Sequence, residues 1–348
     1  MVKDELETQA QHYKGESVKM FIIIFVSIVL ALGCFYIYLL DNTRTAEIFT
    51  YKFNTKFGIR KLRKSQDPYD INGELGYQML PGTYYNEIKI YDIFKPGWRY
   101  RSWNAIINDD RTRFTGKKVG FPEINIYGCS FTFGYALDDK ETYPHILQDS
   151  MPRFNVRNFG MNGYGNLHYL IQLKRYLEWK QTPKYAIFNY IPFHMDRNVA
   201  SSSWLKLLNT QYEDSYKYPR GTVDNGILNI SMVDIEKKPK HYEPSYTDKF
   251  HVTLHIFAEI EKTCRQNDIM PVILTAVNGD SVVTACQELG FKIIGIPDFL
   301  IPEYQLYPFD GHTNYEANKE IAEAIKNFIR WQEIRASAEK GIVRVPNE

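Results

Sequence analysis

The 348 residues carry 42 Lys and Arg against 41 Asp and Glu, a formal charge of +1 at pH 7, with 44% hydrophobic residues. That composition excludes large-scale disorder, and the charge balance leaves no long-range field of the kind that recruits nucleic acid. Four cysteines, Cys34, Cys129, Cys264 and Cys286, have neither metal-ligand spacing nor the density of a disulfide scaffold, so they fix no redox compartment.

Residues 1–18 read as a polar tail. The stretch 21–40, FIIIFVSIVLALGCFYIYLL, has twenty residues without a charge. At about 1.5 Å per residue that is roughly 30 Å of helix, the thickness of a bilayer's hydrocarbon core, which predicts a transmembrane signal anchor over 19–41. A cleavable signal peptide fits less well, because its apolar region is shorter and a small-X-small site should follow. Six apolar residues continue past Cys34, against a lipoprotein site at Ala31-Leu32-Gly33-Cys34. Lys3, Lys14 and Lys19 precede the span while Arg44, Lys52, Lys56 and Arg60 follow it, so charge alone does not orient it. A short tail before a large domain favours an extracytoplasmic domain.

From 45 to 120, Pro-Gly pairs at 81–82 and 96–97 and alternating stretches such as EIKIYDIF predict a small β-rich module. From 121 to 335 the pattern alternates. Strands are expected near 123–127, 155–159 and 185–191, with helices near 142–149 and 166–179 between them. A helix at 246–267, strands in MPVILTA and FKIIGIP, and a helix from about 315 follow. Alternation of this kind gives a mainly parallel sheet with helices on both faces. Residues 200–245 interrupt it as a polar insertion, from which Trp204, Tyr212 or Tyr218 could lean toward a sugar. The last stretch, 336–348, reads as a tail.

Two motifs carry chemistry. In IYGCSFTFG, a strand ends at Gly128 and Ser130 follows, at a strand's carboxyl end where α/β sheets keep their ligands. Thr142 is placed to cap the next helix. In FDGHTN, Asp310 and His312 stand two residues apart, before a helix announced by Thr313 and Glu316 as a capping box. A carboxylate beside a histidine can accept its ring N–H and fix the tautomer, while the other nitrogen takes a proton from serine. Ser130, His312 and Asp310 therefore make a complete acyl-transfer set. His145 and His168 lack a carboxylate at a suggestive spacing, and His251 with His255 at i, i+4 is half a metal site without a third ligand. No phosphate loop or dinucleotide fingerprint is present, and no metal or cofactor is expected.

Over about 123–330 the chain resembles the SGNH/GDSL hydrolases, in the branch with a GCSFTFG block, here with Cys129 where the family name has Asp. The resemblance implies a flavodoxin-like three-layer α/β/α domain and hydrolysis or transfer of an ester. It implies Ser130 as nucleophile, and the amides of Ser130 and of Gly163, in NFGMNGYG, as oxyanion donors. Asp310 and His312 match the last block, although a spacing of three is commoner. The third block departs: where Gly-X-Asn-Asp is usual, YAIFNYIPFHMDRN puts His194 near the expected Asn, with Asn189 and Asn198 as rivals. GELGYQMLPG is similar to a pre-domain of this branch. The expectation is a membrane-anchored serine esterase that removes O-acyl, chiefly O-acetyl, groups from a carbohydrate. The residues that would hold the sugar are not identified. A polysaccharide O-acetyltransferase would use the same residues. A non-catalytic envelope-assembly protein and a cytosolic lipid or thioester hydrolase are the other readings.

Overall fold

Five short strands, three of them buried along their whole length, form the sheet that carries the site. In the computed structural model, residues 20–36, 38, 42–64, 68–116, 122–179, 182–209, 216–235 and 241–339 are described. The expected tail 1–18, most of the tail 336–348, part of the span 19–41, and Tyr212 lie outside them. Two compact units emerge.

The first comprises the described part of 1–60 together with 90–99. Residues 20–36 are helical, and Phe21, Ile23, Leu30 and Leu32 among them are exposed. Among the described residues no helix is long and apolar enough to cross a membrane. Helix α1 (Thr43–Lys56) starts at Asn42, whose side chain accepts from the Thr45 N–H. Buried Asn54 donates to the Tyr91 carbonyl at 2.8 Å and accepts from its N–H at 2.9 Å, completing one amide's hydrogen bonding.

The second unit comprises 61–89 and 100–348. It begins with β1 (Lys61–Lys64), a β2 (Tyr69–Asn72) and β3 (Gly76–Met79) hairpin, and the long strands β4 (Gly82–Asp92) and β5 (Gly97–Ile107), whose far ends belong to the first unit. The stretch 45–120, expected as one module, thus divides between the units. The main sheet follows, with β6 (Glu123–Tyr127), β7 (Asn155–Asn158), β8 (Tyr185–Asn189), β11 (Met270–Thr275) and β12 (Lys292–Gly295) all parallel in the order β12-β11-β8-β6-β7. Counted along the main sheet, this is the 2-1-3-4-5 order of flavodoxin-like doubly wound folds, and its switch point lies between β6 and β8.

Strand period two sends neighbouring side chains to opposite faces, and each face has its own core. Ile124 and Ile126 pack with Leu147 of α3 (Tyr143–Ser150) and with Ile321, Ile325 and Ile329 of α9 (Tyr315–Glu339). Tyr127 and Phe188 pack with α4 (Asn166–Trp179) and α7 (Tyr246–Gln266) on the other face. The Tyr127 ring stacks between Phe159 at 4.8 Å and Phe188 at 5.1 Å.

Three local expectations are corrected. Thr142 occupies the cap position of α3, but its hydroxyl donates to the Asp139 carbonyl, and the Tyr143 N–H goes to the Asn318 side chain instead. At α9 the cap is Asn314, which accepts from the Ala317 N–H. Thr313 accepts from Asn318 instead. The polar insertion 200–245 has regular structure over much of its described part: it holds α6 (Ser202–Asn209) and a hairpin of β9 (Lys217–Asp224) and β10 (Ile227–Asp234), in register over eight pairs and turning at Asn225-Gly226. Helix α9 also continues through Glu339, past the domain end expected at 335. Helix α8 (Ser281–Leu289) closes the α7 face, and Cys264 and Cys286 are both buried free thiols. Burial pushes the Cys264 thiol up to about 12.

Candidate active site

Strand β6 delivers the chain to Gly128, where the backbone passes so close to Thr132 that an added Cβ would meet its hydroxyl at 1.8 Å. Only glycine fits there, and the chain turns at once into α2 (Ser130–Phe133), with Phe133 donating back to the Cys129 carbonyl at 2.9 Å. Ser130 opens this single turn. Its helix is braced from three sides: the Asn158 amide donates to the Thr132 carbonyl at 3.0 Å, Tyr143 donates to the Thr132 hydroxyl at 2.9 Å, and Arg113 holds the exit.

Arg113 is fully buried and donates to the carbonyls of Phe133, Gly134 and Leu137 and, through Nε, to Asp139 at 2.7 Å. Burial pushes the Asp139 carboxyl up, while the guanidinium beside it pulls the other way. All this polar capacity fixes the segment just after the nucleophile turn, which is where small displacements would move Ser130.

His312 Nε2 lies 2.8 Å from Ser130 Oγ, across 182 residues of chain. Its Nδ1 bonds the Asp310 carboxylate, which also accepts the His312 backbone N–H at 2.9 Å. Asp310 is 5% exposed and Ser130 7%, so the carboxylate acts in a medium that screens little. Phe131 and Tyr135 flank the imidazole at 4.8 and 4.9 Å, fixing its plane. Asp310 sets Nδ1 as donor and leaves Nε2 as acceptor for the serine proton.

Gly163 lies in the turn after β7, at φ +80°. The Tyr77 hydroxyl donates to the Asn162 carbonyl at 2.9 Å, and Tyr218 donates to the Gly163 carbonyl at 2.8 Å. Because the peptide is planar and trans, holding the Asn162 carbonyl fixes the opposite direction of the Gly163 N–H. Neither that N–H nor the Ser130 N–H has an acceptor among the described residues. Both amides are open donors, as an oxyanion site requires. Sequence reasoning missed Tyr77. Only the GELGYQMLPG resemblance, which contains Tyr77, hinted that this stretch matters.

At the third block the structure separates the candidates. Asn198 is fully engaged with the Leu167 N–H, Asn166 and Thr253. The Asn189 amide nitrogen donates to the Leu274 carbonyl. His194 opens α5 (His194–Asn198), fully buried. Its Nδ1 accepts from the Ile191 N–H at 3.3 Å, which leaves the proton on Nε2, a buried atom with no partner. Burial, and secondarily Arg197, holds its pKa well below the ordinary range, so His194 is neutral. Arg197 itself lies between the rings of Phe193 at 4.4 Å and Trp204 at 4.3 Å and donates to the Tyr164 carbonyl.

Trp204 and Tyr218, expected as sugar platforms, are 9% and 0% exposed. They are core of the wall behind Gly163, Trp204 on α6 and Tyr218 on β9. His255 bonds the His251 carbonyl on the exposed face of α7, and among the described residues no group of three metal-ligating side chains forms.

No protein-family model and no curated protein matches the chain. Among solved structures it is similar to a member of the lipolytic protein G-D-S-L family from Veillonella parvula DSM 2008, at 12% identity, a TM-score of 0.34, and coverage of 60% of this chain and 98% of that one. It is likewise similar to a protein described as lipolytic, of the G-D-S-L family, from Desulfitobacterium hafniense DCB-2, at 14% identity, a TM-score of 0.32, and coverage of 60% and 99%. Among solved structures, then, this chain resembles lipolytic G-D-S-L proteins.

Proposed function

We propose that the chain is a serine ester hydrolase of SGNH/GDSL type that removes O-acyl groups, chiefly O-acetyl, from a carbohydrate. The observation that carries the reading is the His312 bridge, with one ring nitrogen 2.8 Å from Ser130 Oγ and the other on Asp310. In the proposed reaction Ser130 Oγ attacks the acyl carbonyl while His312 Nε2 takes its proton. The proton then goes to the leaving alcohol, and water activated by the same nitrogen releases the acid. The N–H groups of Ser130 and Gly163 receive the oxyanion, with His194 Nε2–H as third donor. Removing one such donor typically costs about 10²–10³ in turnover. The exposed apolar helix at 20–36 supports anchoring through 19–41; the extracytoplasmic side proposed for the α/β domain rests on the short tail that precedes a large domain.

The test is intact-mass analysis of the full chain after treatment with a fluorophosphonate. One adduct on the parent protein and none on Ser130→Ala is the expected result. If neither protein is labelled beside a reactive control hydrolase, the reading fails and a non-catalytic role takes its place. With an oligosaccharide acceptor present, a newly acylated sugar instead of free acid would make the enzyme a transferase through the same acyl-enzyme.

A further inference from the structure

A cavity of about 890 Å³ opens beyond the β7 edge of the sheet, and neither Ser130, Asp310 nor His312 lines it. Its volume is at the upper end of the roughly 300–1,000 Å³ of ligand pockets. The walls come from β3, the 108–111 turn, the 159–161 turn and α4.

Of the charged residues that line it, all but Asp109, whose carboxylate is exposed, are already used. Arg111 donates to the Met79 carbonyl and lies 3.8 Å from Asp70, Arg175 donates to Asn72 and lies 3.7 Å from Glu74, and Asp110 pairs with Arg157. The rest of the unused capacity is neutral and amide-like. Gln172 donates to the Phe159 carbonyl at 3.1 Å, which fixes its rotamer and leaves Oε1 a buried acceptor without a partner. Such an atom costs free energy until a donor arrives. At the rim, Trp179 presents an indole that is 80% exposed at the end of α4. Acceptors beside a flat apolar face, one open carboxylate and no unpaired cation among the lining residues disfavour anions and match a neutral ligand rich in hydroxyls, with C–H faces that stack on a ring.

We propose that this cavity is a neutral-oligosaccharide site separate from the esterase centre, holding the glycan whose acyl groups reach Ser130. It deepens the carbohydrate reading above and rests on that reading for its choice of ligand. Sugar hydroxyls donate to Gln172 Oε1, and a pyranose face stacks on Trp179.

The test is calorimetric titration of the full chain, held in a zwitterionic detergent without a sugar headgroup, with maltohexaose, cellohexaose, mannohexaose and chitohexaose. At least one should bind with a Kd below about 1 mM, equivalent to roughly −4 kcal/mol. Ser130→Ala should bind it within twofold of the parent, while Trp179→Ala and Gln172→Leu each weaken binding at least tenfold and leave fluorophosphonate labelling of Ser130 unchanged. No binding by any of the four, or binding undiminished in Trp179→Ala, overturns the proposal. Labelling without sugar binding would leave the esterase standing and remove the glycan site. Sugar binding without labelling would do the reverse.

Discussion

Asp310→Asn probes the site where charge matters most. The carboxylate, 7% exposed, accepts from both the ring and the backbone of His312. When His312 takes the serine proton, a cation forms beside it. Charge centres about 4 Å apart at an effective dielectric of about 20 attract by roughly 4 kcal/mol. At about 1.36 kcal/mol per decade this is about 10³ in rate. Asparagine keeps the shape, and one Asp310 oxygen takes both bonds: with its amide oxygen at that position it still accepts both N–H groups and the loop holds, but the charge is gone. Turned the other way, its NH₂ gives up the backbone N–H and drives the ring proton to Nε2, the nitrogen that must receive from Ser130. The expected loss in the second-order rate of fluorophosphonate labelling is therefore about 10³–10⁴, with the thermal midpoint within a few degrees of the parent. Labelling within tenfold of the parent, on a folded variant, would refute the role given to Asp310.

Tyr77→Phe releases the Asn162 carbonyl and with it the direction of the Gly163 N–H. Labelling should slow about tenfold, while stability falls by only about 1 kcal/mol, the net worth of one hydrogen bond; equal labelling rates would dismiss Tyr77 as a positioning residue. Arg113→Met leaves Asp139 buried and unpaired, at a cost of about 3–5 kcal/mol. Calorimetry should show a fall of roughly 6–20 °C in the thermal midpoint, and a shift under 3 °C would contradict the bracing role. His168 and His194 are both held neutral chiefly by burial, with folded pKa values well below the ordinary one. Protonation then favours the unfolded chain: their contribution is whole above about pH 6.5 and is lost as pH falls below it, with a slope approaching about 2.7 kcal/mol per unit for two groups. Urea midpoints between pH 7.5 and 5.5 should flatten by about half in His168→Asn, and an unchanged slope would count against the assignment.

The sheet was legible because parallel strands leave apolar runs: EINIY and YAIFN are buried throughout, and helix 166–179 has the bounds its period suggests. GCS and DGH were legible as motifs, and they meet in space. What escaped was long-range polar chemistry. Arg113, Tyr77 and Asn318 act across 20 to 175 residues on carbonyls and amides that no local pattern marks. The α3 cap went to a different residue for the same reason, since Asn318 outcompeted Thr142 for the first-turn amide, whereas at α9 the cap moved by one residue, to Asn314. The 200–245 stretch misled because its polarity belongs largely to the exposed strand β10, while β9 buries Tyr218 and α6 buries Trp204.

The distance along the chain between Ser130 and His312 has a consequence during synthesis. At about 5–20 residues per second, the ribosome adds the 182 residues separating them in roughly 10–35 s. Through that interval the nucleophile has no base, and the turn ahead of α9, tied to the Tyr143 amide only through Asn318, does not yet exist. A growing or prematurely terminated chain is thus unreactive toward acyl groups it meets, and competence appears only when translation has passed the final helix.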